Sequence, residues 1–79
     1  MSHHTHMRLS EAPLFKNLRV KHLGLDPETS TRLRELGICE ESFITCIRRS
    51  HGGIICEVFS TRIGLNGHVA GQILVSAAG

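Results

Sequence analysis

Asp26-Pro27-Glu28-Thr29-Ser30-Thr31-Arg32-Leu33-Arg34-Glu35-Leu36-Gly37-Ile38 spells one complete short helix with both of its ends. Asp26 can cap the free N–H groups of a first turn, and Pro27 occupies the first helical position, where a missing donor costs nothing. Glu28 adds a carboxylate at the positive end of the helix. Gly37 can take the left-handed conformation that closes the last turn, after which Ile38 folds back toward Leu33. The stretch predicts about ten residues of helix. Leu33 and Leu36 are its only large apolar residues, so the helix presents a narrow stripe and must lie on something else to be stable.

The flanking sequence supplies that partner. Between Leu14 and Leu25, apolar Leu18 and Val20 alternate with Arg19 and Lys21, the pattern of a half-buried strand. Ser42 to Arg48 is a β-branched run that ends in the turn chemistry of Arg49-Ser50-His51-Gly52-Gly53. Ile54 to Phe59 then returns as the partner of a hairpin. A short strand at Arg62-Ile63-Gly64-Leu65 and a last one at Gln72 to Ser76 complete the set, with Asn66 to Gly71 as a turn or one helical turn. No Asp, Glu, Lys or Arg follows Arg62, so the tail is expected to close the sheet. About five short strands and one short helix predict a mostly β fold, a small bent sheet closing into a partly open barrel that leaves few free edges. An open antiparallel sheet with the helix on one face is the runner-up, and both arrangements place Leu33 and Leu36 against the sheet.

Seventy-nine residues allow one small domain, whose single core supplies only about 3–5 kcal/mol. Residues 1–13 are expected to be a disordered leader, with a tag remnant as one origin because His3, His4 and His6 crowd together, and 14–79 the folded domain. With no Trp or Tyr, and only Phe15, Phe43 and Phe59 as aromatics, the core must be Ile, Leu and Val. A net charge of +2 is too small to announce a nucleic-acid binder, although Lys16, Arg19 and Lys21 or Arg48 and Arg49 could form a local basic patch. No apolar run reaches the roughly 18 residues that span a bilayer, so direct membrane insertion is not expected and the cytoplasm is the expected location. Three cysteines, Cys39, Cys46 and Cys56, cannot all pair within one chain, which argues against a secreted disulfide framework.

Arg32-Leu33-Arg34-Glu35-Leu36-Gly37-Ile38, the hairpin, Arg62-Ile63-Gly64-Leu65 and the closing Ala70-Gly71-Gln72-Ile73-Leu74-Val75 together resemble the FeoA family, from about Leu14 to Val75. The resemblance implies an SH3-like barrel and a small cytosolic accessory protein of bacterial ferrous-iron transport. Such a protein docks on and regulates the cytosolic domain of the transporter FeoB, is recruited through it to the inner face of the membrane, and is not an enzyme. The same barrel also closes some iron-dependent repressors, so fold alone does not fix the partner. Two departures stand out. Family members usually carry a Pro-Gly turn after Leu-Gly-Ile, where this chain has Cys39-Glu40-Glu41-Ser42, and a basic residue after the Ile-x-Leu strand, where Asn66-Gly67-His68 stands.

The residues themselves offer little catalysis: there is no Gly-rich phosphate loop, and the one closely spaced carboxylate pair is Glu40-Glu41. No cysteine lies close enough in sequence to another for a structural zinc site. A divalent ion, iron or zinc, has its simplest ligands in His3, His4 and His6, which would hold it loosely; no firm cofactor follows. Cys46 and Cys56 fall opposite each other if the hairpin has a three-residue loop at Ser50-His51-Gly52, and could then pair on oxidation, the blander alternative being two small buried hydrophobes. His51 and His68 are exposed candidates for metal or partner contact, and His22 belongs on the wet face of its strand. The expected docking surface combines Glu28, Arg32, Arg34 and Glu35 on the outer face of the helix with the hairpin tip, Arg48, Arg49 and His51 included. Metal sensing through His and Cys, a nucleic-acid-binding small barrel, and self-association of an apolar tail edge are the competing readings.

Overall fold

The computed structural model describes residues 6–78. Its elements are β1 (Met7–Arg8), a 3-10 turn (Leu9–Glu11), β2 (Asn17–Leu23), α1 (Pro27–Glu35), β3 (Phe43–Ser50), β4 (Gly53–Val58), β5 (Thr61–Asn66), α2 (Gly67–Ala70) and β6 (Ile73–Ala77). All six strands join one antiparallel sheet in the order β1-β6-β2-β3-β4-β5, bent around its apolar face as a small SH3-like barrel that stays open. The strand absent from the sequence reading is β1.

Each end of α1 forms for the reason its sequence gives. The Asp26 carboxylate accepts the Thr29 N–H at 3.1 Å, and Pro27 opens the first turn. Gly37 sits at φ +101°, the Gly37 N–H donates to Arg34 O at 3.0 Å and the Ile38 N–H to Leu33 O at 2.9 Å, the paired bonds of a Schellman closure. A Cβ on Gly37 would lie 3.0 Å from the Phe59 ring, so both conformation and space demand glycine. Leu33 and Ile38 are buried, but Leu36 is 47% exposed, which corrects the expectation that both leucines lie on the sheet. Ile38, brought back by the Gly37 turn, takes the place Leu36 would fill. Ser30 completes the inner face and donates its hydroxyl to Leu25 O at 3.3 Å.

The turn from Cys39 to Ser42 replaces the Pro-Gly turn by other means. Glu41 stands at φ +72°, where the glycine would be, and donates its N–H to Val20 O at 2.7 Å. The Ser42 hydroxyl accepts the Cys39 N–H at 3.1 Å and lies 2.6 Å from Cys39 O and 3.1 Å from Gly37 O, which hold the loop closed.

The core runs from Leu9 and Ala12 through Leu18, Val20, Ile44 and Val58 to Ile73 and Val75. The leader expected over 1–13 is therefore too long. Met7 pairs with Val75 and Arg8 with Leu74, while Leu9 and Ala12 are wholly buried, so residues from Met7 onward belong to the domain. Two apolar side chains without a period gave no local signal, and long-range contact with β6 is what orders them. His3 and His4 lie outside the described residues. The tail closes the sheet, yet it is no self-association edge: β6 is paired on both sides, and the sheet's outer strands are β1 and β5.

Candidate docking surface

The strand pair β3–β4 is the longest feature of the sheet, and its two ends differ. At the tip, Ser50 pairs with Gly53 around a two-residue loop, His51-Gly52. Gly53 is required there, because a Cβ would lie 2.1 Å from Leu65 O on β5. The Gly67 N–H donates to Gly52 O at 3.1 Å and the Arg49 guanidinium to Ala12 O, tying the tip to α2 and to the chain after the 3-10 turn. Ser10, Arg49, His51 and Gly67 line a cavity of about 190 Å³ between them.

At the far end, β4 turns into β5 through Phe59 and Ser60, at φ +51° and +65°. Two successive left-handed residues make a type I′ turn, which favours Asn-Gly; a bulky aromatic there is costly in backbone energy. Phe59 is 80% exposed, and its ring passes close to Gly37 at the end of α1. Phe43, at the start of β3, is 48% exposed with the Arg19 guanidinium 4.8 Å from its ring centroid. Leu36 adds a third exposed apolar side chain next to Gly37.

Ion pairs rim this apolar end. Arg34 binds Glu40 through two nitrogens, at 3.0 and 3.3 Å, holding the Glu40 carboxyl below its ordinary range. Lys21 at 2.9 Å and Arg19 at 3.3 Å both bind Glu41, whose carboxyl is lowered chiefly by the Lys21 bond. Two of the three cations proposed for a basic strand are thus neutralised in place.

The residues expected to form one docking surface fall into two groups. Arg32, Arg34 and Glu35 lie on the last turns of α1, ahead of Leu36 and Gly37, and Glu28 on its first turn. Arg49, by contrast, pairs with Ile54 and His51 sits in the loop at the start of β4, while Arg48 pairs with Ile55 midway along that strand. Phe43, Phe59 and Leu36 were missed. The left-handed Phe59 has no sequence signal, and Leu36 reads as core by spacing alone. His22, His51 and His68 are all exposed, and His6 is exposed ahead of β1. Among the described residues no three His, Cys, Asp or Glu side chains are placed to hold a metal ion.

Cys46 faces Cys56 in the register, and both are wholly buried. The loop is one residue shorter than the three-residue turn that alignment assumed, and a bulge at Ile47 restores the pairing. Contact with the Cys56 thiol, and beyond it the Arg49 charge, lowers the Cys46 thiol, while the same contact pushes Cys56 up.

A six-stranded antiparallel sheet with a helix packed against it defines a small SH3-like barrel. The family model for the FeoA domain matches residues 7–77, and the chain belongs to that family, which is linked to ferrous-iron transport. Among solved structures, an iron uptake regulatory protein, FeoA, superposes with TM-score 0.82 at 20% identity over 91% of this chain and 97% of that one. FeoA from Chlorobium tepidum gives 0.85 at 20% identity over 92% and 71%. A manganese-dependent transcriptional repressor gives 0.84 at 19% over 96% of this chain and 44% of its own, a likeness that extends to the fold alone. No curated protein matches the chain. No helix of the described residues is long and apolar enough to cross a membrane.

Proposed function

We propose that this chain is a non-catalytic accessory module of ferrous-iron uptake that docks on the cytosolic domain of a FeoB-type transporter and regulates it from the inner face of the membrane. Iron is the cargo of that system and needs no resident site here. The observation that carries the docking surface is Phe59, exposed in a backbone conformation that costs stability close to Gly37 at the end of α1, with Phe43 and Leu36 also exposed. Strain kept at an exposed aromatic points to use rather than folding. Aromatic anchors ringed by charge are what interface centres are made of, and the rim of Arg19, Lys21, Glu40 and Glu41 together with Glu28, Arg32 and Glu35 supplies orientation. A nucleic-acid role has less support, since Glu41 binds two of the basic side chains it would need.

The test is a pull-down of the full chain against the transporter's cytosolic domain, in metal-depleted and ferrous conditions side by side. Binding in both conditions, lost on Phe59→Asn with the circular dichroism unchanged, is the expected result. Binding only with iron would favour a metal-sensing module, and no binding in either condition would overturn the proposal.

A further inference from the structure

The alternation of backbone groups along β4 fixes what kind of pair Cys46 and Cys56 make. Val58 and Thr61 flank the Phe59-Ser60 turn, so the Val58 N–H and C=O face β5. Counting back by twos, Cys56 and Ile54 also face β5, while Glu57 and Ile55 face β3. The other end agrees: Gly53 pairs with Ser50 across the tip and faces β3, which again turns Ile54 and Cys56 toward β5. The bulge lies in β3 and leaves this count untouched.

Cys46 and Cys56 are therefore a non-hydrogen-bonded cross-strand pair, in which Cα atoms stand about 4.5 Å apart and side chains come closest. That separation falls within the roughly 4.4–6.8 Å that a disulfide bridges. Both side chains point to the same interior, with Ile44 and Val58 on either strand buried beside them. Without the extra residue at Ile47 the two-residue loop would have set Cys46 against Glu57, so the bulge itself brings the thiols together. Cys39, partly buried in the loop after α1, is outside this pair.

We propose that Cys46 and Cys56 form a dithiol modification site whose co-reactant is a low-molecular-weight disulfide of the glutathione type. The Cys46 thiolate attacks one sulfur of that disulfide, breaks its S–S bond and releases one thiolate, leaving a mixed disulfide on Cys46. Cys56 then gives its proton to the released thiolate and attacks the Cys46 sulfur, expelling the second small-molecule sulfur as a thiolate, which takes from solvent the proton that Cys46 gave up on ionising. Two protein S–H bonds are replaced by one S–S bond, and one small disulfide is reduced to two thiols. The thiolate needed for the first step is the one favoured by the neighbouring Cys56 and Arg49. Both thiols are fully buried, so the first exchange waits for opening of the β3–β4 hairpin, and the finished bridge clamps that hairpin at its middle.

The experiment uses the full chain carrying Cys39→Ser, reduced, then held in oxidised glutathione either folded or during refolding from denaturant. Free thiols are alkylated on quenching, and intact mass and peptide maps are recorded. The expected result in the folded arm is loss of two hydrogens with no glutathione retained, a Cys46–Cys56 crosslinked peptide, full reversal by a dithiol reductant, and a higher denaturation midpoint than the reduced protein. Two alkylated thiols after prolonged incubation, a glutathione adduct that persists on either cysteine, or a bridge seen only in the refolding arm would each overturn the proposal.

Discussion

The two ends of β4 each turn through two residues, but with opposite backbone handedness. At the tip, His51-Gly52 is tied down by the Gly67 N–H and the neighbouring Arg49, and no side chain there sits at positive φ. At the other end, Phe59-Ser60 is left-handed twice over, and its aromatic ring is given to solvent. One turn is settled by its contacts; the other gives up stability to present a side chain. The proposed docking surface rests on this difference and not on charge, because both ends carry arginines.

The comparison breaks most decisively in binding. Phe59→Asn or Phe43→Ser should weaken capture of the transporter domain by tenfold or more, as loss of an interface anchor does. His51→Ala and Arg48→Ala should change it less than twofold. Titration calorimetry that reverses this order would move the docking surface to the tip.

Stability separates the two leucines of α1 next. Leu33→Ala should cost about 2–5 kcal/mol, because a buried side chain is removed, while Leu36→Ala should fall within about 0.5 kcal/mol. Urea midpoints check both, and equal costs would mean that the apolar end is packed rather than presented. A smaller effect of opposite sign sharpens the point: Phe59→Asn with Ser60→Gly should stabilise the chain by about 1 kcal/mol by matching the type I′ turn, while losing the partner.

The smallest effect is acid sensitivity. The Glu40 and Glu41 carboxyls are lowered by their cations, so they release protons more readily folded than unfolded. Their contribution is full above the ordinary glutamate value of 4.5 and is lost as pH falls through the lower folded values. The denaturation midpoint should decline below about pH 4.5, and Glu41→Gln should flatten the decline. An unchanged slope in that variant would remove the pair as a source of stability.

Much of the fold was legible because it is written locally. Asp26, Pro27 and Gly37 mark the helix by chemistry that acts within a few residues, and the alternation at Leu18 and Val20 marks a strand wherever it ends up. What was not legible depends on distant partners. Met7 to Ala12 become ordered only because β6 lies beside them, and Leu36 is displaced by a residue two positions on. Of the site, the charged residues could be read from the sequence, but not their division between two ends, which follows from the direction in which the hairpin runs. The facing cysteines were found through a loop length one residue too long, an error the bulge at Ile47 cancelled.

The position of β6 also governs how the protein comes into being. The sixth strand in chain order lies between the first two, pairing with β1 on one side and β2 on the other. Until it arrives, β2 has an open flank and Leu9 has no cover, so the nascent chain cannot close its sheet one hairpin at a time. Assembly depends on contacts between the first and last strands of the domain, which makes folding slow for so small a fold. A premature stop before Ile73 removes the middle of the structure rather than its margin.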